Sequence, residues 1–151
     1  MAAGDHLKVK RRRWFFPYYY HGIDTGNDSV IHFARARNEP GTVIESSLEE
    51  FLKGGVKEFE DYSPLIDWLI RDLHRDPTTN RQILERIDDP EAAVAEARNH
   101  LGKRGYGTYL DRGHWPRFAS EGFARVGEGF AVYCKTGFFT LGIGALLLPL
   151  Q

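Results

Sequence analysis

The chain has 151 residues, a length for one domain that buries its own core without staples. Its 20 basic and 21 acidic residues leave a net charge of −1, which argues against a nucleic-acid partner. A single cysteine excludes an internal disulfide framework and a cysteine-rich zinc site, and suits a reducing compartment.

The first third reads as β-structure. Leu7 to Arg13 alternates weakly through Lys8-Val9-Lys10-Arg11-Arg12-Arg13, and Trp14-Phe15-Phe16-Pro17 breaks it, because proline cannot continue the ladder of a central strand. No apolar stretch precedes the basic run, so a secretory signal is not expected. The location expected is intracellular, cytoplasmic or membrane-associated. Tyr18 to Asp24 is aromatic-rich and reads as a strand, Thr25-Gly26-Asn27-Asp28 as a turn, Ser29 to Ala36 as the returning strand and Thr42 to Glu45 as a third. Ser46 or Ser47 caps a short helix with Glu49 and Glu50 in its first turn and Gly54-Gly55 as its stop; Val56 to Phe59 reads as another short strand.

The middle reads as helix. Pro64 to Ile70 has apolar residues at helical spacing, with the proline in the first turn. Asp76 to Asn80 reads as a polar turn, Arg81 to Ile87 as a short helix, and Asp88 or Asp89 as the cap of a helix that begins at Pro90 and stops at Gly102. From Gly105 to Phe118 the chain is rich in glycine and aromatics. Glu121-Gly122-Phe123-Ala124 is echoed by Glu128-Gly129-Phe130-Ala131. Residues 138–150, FFTLGIGALLLPL, carry no charge but fall short of the ~20 apolar residues of a spanning helix. They read as core, as an interfacial anchor or as the start of a longer span.

Two histidines stand on the predicted hairpin. A two-residue loop at Gly26-Asn27 pairs residues whose numbers sum to 53, which sets His21 opposite His32 on one face with Cβ atoms about 5 Å apart. Facing imidazoles suit a proton relay, in which one ring takes a proton and the other fixes its tautomer. They also suit half a metal site, although no further ligand sits nearby at clean spacing, and a shared polar sheet face is the plain alternative. His74 and His100 read as surface residues on helices. His114-Trp115-Pro116 reads as a surface loop or a lid. Gly102-Lys103-Arg104-Gly105 lacks phosphate-loop spacing.

Four blocks in order, Gly4-Asp5-His6-Leu7, Tyr20-His21-Gly22-Ile23 with Val30-Ile31-His32-Phe33, Arg98 to Tyr106, and Glu128 to Gly137, resemble the lecithin retinol acyltransferase-like family, which includes the plant NC-domain proteins. The resemblance implies an α+β fold of the permuted papain-like, NlpC-type kind, an antiparallel sheet packed against helices, over residues 1–137, with 138–151 as an apolar C-terminal segment. It implies a thiolate that attacks a lipid ester, a thioester intermediate, and transfer to an acceptor or to water. His21 matches the general base and His32 the orienting histidine. No metal or other cofactor is implied.

The last block departs from the family pattern Asn-Cys-Glu-His-Phe. Aligned on Glu128 and Phe130, Val126 takes the Asn position and Gly127 the nucleophile position. An alternative alignment on Glu121 and Phe123 puts Ser120 there. Cys134 lies two helical turns beyond Gly127, roughly 10 Å along an axis, and reads as a small buried hydrophobe. Three functions follow. The first is a degenerate acyltransferase-like domain that binds a lipid or a protein. The second is an active acyl hydrolase or acyltransferase using Ser120 or Cys134. The third is a membrane-interface adaptor that uses Lys8, Lys10, Arg11, Arg12, Arg13 and Trp14 against anionic headgroups, at about 1 kcal/mol per cation. The plain reading of that run is a solvated edge strand.

Overall fold

The computed structural model describes residues 3–13, 16–34, 41–74, 76–102 and 121–137. Side chains are described at all of these except 12, 13, 16–18 and 121–127. Five strands, β1 (His6–Arg13), β2 (Phe16–Asp24), β3 (Ser29–Ala34), β4 (Thr42–Ser47) and β5 (Lys57–Phe59), form one antiparallel sheet in the order β4-β3-β2-β1-β5. The expected α+β architecture is therefore present.

Strand β1 is not an edge strand. It pairs with β2 along its length and with β5 at Leu7, Lys8 and Val9, so among the described residues its first half has a strand on both sides. Pro17 is accommodated inside β2, opposite Arg12 on β1. Among the described residues the β2–β3 ladder covers Ile23 and Asp24 of β2, at the far end of the strand from Pro17.

The β2–β3 turn differs from the expected one. Thr25 N–H donates to the Ser29 carbonyl at 3.0 Å, so three residues, Gly26, Asn27 and Asp28, make the loop. Gly26 (φ 86°) and Asp28 (φ 57°) both lie in the left-handed region, as a three-residue hairpin loop requires at its last position. Asp28 is held by Leu48 N–H, which donates to its carbonyl at 2.8 Å. The extra loop residue makes partner numbers sum to 54: Ile23 faces Ile31 and Asp24 faces Val30. A one-residue slip moves every side chain of a strand to the other face. Continued, this register sets His32 opposite Gly22, where a side chain on Gly22 would sit 2.4 Å from Val30 Cγ1 and 3.2 Å from His32 Cβ. The expected face-to-face His21/His32 pair is thus not formed.

Between β4 and β5 runs α1 (Leu48–Leu52). Ser47 is its cap, accepting from Glu50 N–H at 3.1 Å, and Lys53 closes it in the left-handed region. The helix crosses one sheet face and buries Phe51 against Leu7, Val9 and Val30. The other face is covered by α5 (Glu121–Thr136), which packs on β2 and β3 and also against α4 (Pro90–Asn99) and α3 (Pro77–Ile87). Ile23, Ile31, Phe33, Val43, Ala97, Phe130, Ala131 and Cys134 form this larger core. Full burial of each large apolar side chain contributes about 1.5–3 kcal/mol.

Helices α3 and α4 follow their aspartate caps, and α2 (Ser63–Arg71) its first-turn proline. Helix α2 has Pro64 in its first turn and buries Leu65 and Leu69, four residues apart on one face. Helix α3 starts at Pro77, a turn earlier than expected. The polar run 76–80 is its first turn, because Asp76 accepts from Thr79 N–H at 3.1 Å and Pro77 needs no donor there. Asp89 caps α4 in the same way, accepting from Ala92 N–H at 3.0 Å. His100, expected at the surface, is buried. Its Nδ1 lies 2.9 Å from the Glu96 carbonyl, and its ring meets those of Phe130 and Tyr133. His74 is exposed as expected. His114 and the apolar run 138–151 lie outside the described residues.

Candidate functional site

Alternation along β1 sends Leu7 and Val9 to the α1 face and His6 and Lys8 to the α5 face, and the ladder sets Lys8 beside His21. The partner of His21 is therefore His6. His6 Nε2 lies 2.8 Å from His21 Nδ1, and His6 Nδ1 lies 2.7 Å from the hydroxyl of Tyr62, the residue just before α2. The outer nitrogen of His21, Nε2, stands 4.0 Å from Glu128 Oε2 on α5. Tyr62, His6, His21 and Glu128 thus line up in a polar row beneath α5.

That row is largely dry. His6 and His21 are 3% and 6% exposed. Burial, with Lys8 adding its charge, pushes His21 down to about 3. Burial, then His21, Lys135 and Lys8, hold His6 well below the ordinary histidine range. Burial raises the Tyr62 phenol well above its ordinary value, with Glu60 adding to the effect. Both imidazoles are neutral at pH 7. One neutral arrangement accounts for every contact. Tyr62 O–H donates to His6 Nδ1, His6 Nε2–H donates to His21 Nδ1, and His21 Nε2–H points to the Glu128 carboxylate. In that arrangement His21 spends its lone pair on His6 and presents a donor, not a base, toward α5.

His32 belongs to the opposite face. Its Nε2 lies 2.9 Å from Ser46 Oγ, and its ring packs edge-on against Tyr20 and Phe51. Burial, then the Arg11 and Lys53 charges, lower it to about 4. The sheet itself separates it from His21.

Cys134 is fully buried among Ile23, Phe33, Ala97 and Phe130. Burial, with Glu96 adding to it, pushes its thiol well above the ordinary range, the reverse of an activated nucleophile. It lies six positions beyond Glu128, about 9 Å along a helix axis. Gly127 lies within α5, next to the residue that approaches His21. Ser120 lies outside the described residues.

The basic run is partly engaged. Lys8 pairs with Glu60 at 3.3 Å, and Arg11 donates to the Phe51 carbonyl and lies over the Tyr20 ring. Lys10 is exposed. The side chains of Arg12 and Arg13, and Trp14 entirely, lie outside the described residues. No helix among the described residues is long and apolar enough to cross a membrane.

The sequence reading missed His6 and Tyr62. His6 was visible in the Gly4-Asp5-His6-Leu7 block and in the parity that places it on the face of Lys8. Tyr62 is 56 positions away from it in the chain and carries no local signal.

An antiparallel sheet with strand histidines facing a later helix places the protein among α+β folds of the papain-like kind. The family model for lecithin retinol acyltransferase matches residues 1–110, and the chain belongs to that family. It is similar to Protein LEAD-SENSITIVE 1 of Arabidopsis thaliana, with 28% identity over 172 aligned residues that cover 93% of this chain. The chain spans about 60% of the length of that curated relative.

Proposed function

We propose that this is a degenerate member of the family, one that binds a lipid or a protein partner and forms no acyl-enzyme. The observation that carries the reading is Cys134: the one thiol of the chain is fully buried in α5, with its pKa raised by burial. Gly127 at the nucleophile position, and a His21 lone pair turned to His6, support it.

The test is the intact mass of the protein after incubation with a short-chain phosphatidylcholine and, separately, an activated acyl ester. A family member with the cysteine intact serves as the positive control. The expected result is no adduct on this chain. Gain of one acyl group, abolished by His21→Ala and mapped to Ser120 or Cys134, would establish the alternative, an active acyl hydrolase or acyltransferase. Flotation with anionic vesicles then separates the partner classes. Binding lost when Lys10, Arg12 and Arg13 are neutralised identifies a membrane surface, and no flotation points to a protein.

A further inference from the structure

We propose that His6, His21 and Glu60 form a site for a divalent transition ion of the Zn²⁺ type, in which the metal replaces the proton now shared by the two imidazoles. The donor set is two histidines and one carboxylate, a combination that holds zinc with a fourth position open. Their ligand atoms all lie within 4.8 Å of one another, the one such group among the described residues.

The hydrogen-bond pattern is what singles out this trio. A histidine that binds metal through one nitrogen donates from the other to an oxygen acceptor, which fixes the tautomer and the ring. His21 is already arranged that way, and His6 reaches it when its ring proton moves from Nε2 to Nδ1 and the Tyr62 hydroxyl turns to accept it. The inner nitrogens, His6 Nε2 and His21 Nδ1, point at each other across 2.8 Å. The outer ones point at oxygens, His6 Nδ1 at Tyr62 Oη (2.7 Å) and His21 Nε2 at Glu128 Oε2 (4.0 Å). Zinc–nitrogen bonds of about 2.0 Å in a tetrahedral site hold two nitrogens about 3.3 Å apart. The nitrogens must separate by roughly half an ångström, and the rings must turn so that both lone pairs converge on the ion. Glu60 is tied to the same strand end, since its N–H donates to the His6 carbonyl at 2.9 Å.

Lys8 is the built-in competitor. Its ammonium sits 3.3 Å from the Glu60 carboxylate, and its side chain is 23% exposed, so it can swing into water when a doubly charged ion takes the carboxylate. Lys135, over the Tyr62 ring, adds positive charge from the α5 side. The metal-free state is therefore a stable, paired arrangement rather than an open cage, and metal binding exchanges one cation for another.

The full chain, stripped with a chelator, is titrated with Co²⁺ while visible ligand-field absorption is recorded, and with Zn²⁺ by calorimetry at neutral pH. The expected result is one equivalent with a tetrahedral cobalt spectrum. Glu60→Gln should weaken binding about tenfold or more. Lys8→Met should tighten it, and His21→Gln should abolish the spectrum. Glu60 and Lys8 are partly exposed, so their variants are expected to fold, and circular dichroism checks this. No tetrahedral spectrum, or binding unchanged by both Glu60→Gln and His21→Gln, overturns the proposal. The acylation result has no bearing on this outcome.

Discussion

Acid should destabilise this domain, and His32 contributes a separable part of the effect. Its ring is 6% exposed, packed by Tyr20 and Phe51. Nε2 meets Ser46 Oγ, and Nδ1 has no hydrogen-bond partner among the described residues. Burial, then Arg11 and Lys53, lower the folded-state pKa to about 4, against about 6.5 for an unfolded histidine. Between those values the unfolded chain binds more protons than the folded one, so stability rises with pH. The contribution is complete above about pH 6.5, falls as the pH drops, and levels near pH 4, where the folded state also takes up the proton. At about 1.4 kcal/mol per pH unit, a gap of about 2.5 units corresponds to ~3.5 kcal/mol in full, and to ~3 kcal/mol at pH 4, where the folded state is half protonated. Urea unfolding of the wild type and His32→Gln at neutral pH and near pH 4 reads this directly. The wild type should lose about 3 kcal/mol more than the variant on acidification. Equal losses would refute the claim that the ring is buried and neutral.

Other perturbations have defined outcomes. Tyr62→Phe leaves His6 Nδ1 buried without its 2.7 Å partner and should cost about 1–3 kcal/mol in denaturant unfolding; a cost below about 0.5 kcal/mol would contradict the row of hydrogen bonds. Cys134 should react with a disulfide reagent only as fast as the domain opens, and at the rate of a free thiol in denaturant; rapid labelling of the native protein would place the thiol at the surface. Asn80→Ala removes the amide that donates to the Leu69 and Asp72 carbonyls at the end of α2, and should lower stability by about 1–2 kcal/mol. Asp89→Ala removes the cap of α4 and should cost about 1 kcal/mol, visible as a lower Tm.

Family and local structure were legible in the chain itself. The ordered motif blocks name the family, and the four strand segments plus the short one before Glu60 appear where aromatics and β-branched residues predict them. Helix α2, with a proline in its first turn, and the aspartate-capped α4 appear where spacing predicts them, because period and caps act over a few neighbouring residues. Even α3 carries its start signal, Asp76-Pro77, inside a run whose polar composition alone predicts a turn.

What decided the site was tertiary. One residue of loop length set the hairpin register, and that parity sent His21 and His32 to opposite faces. The loop is held by Leu48 N–H on the Asp28 carbonyl, and α1 beyond it buries Phe51 on the face of His32. His6 met His21 through strand pairing, and Tyr62 reached His6 across 56 positions because β5 and α2 return the chain to that edge. Such contacts depend on which faces the packed sheet buries, and the chain in its own order holds no local trace of them.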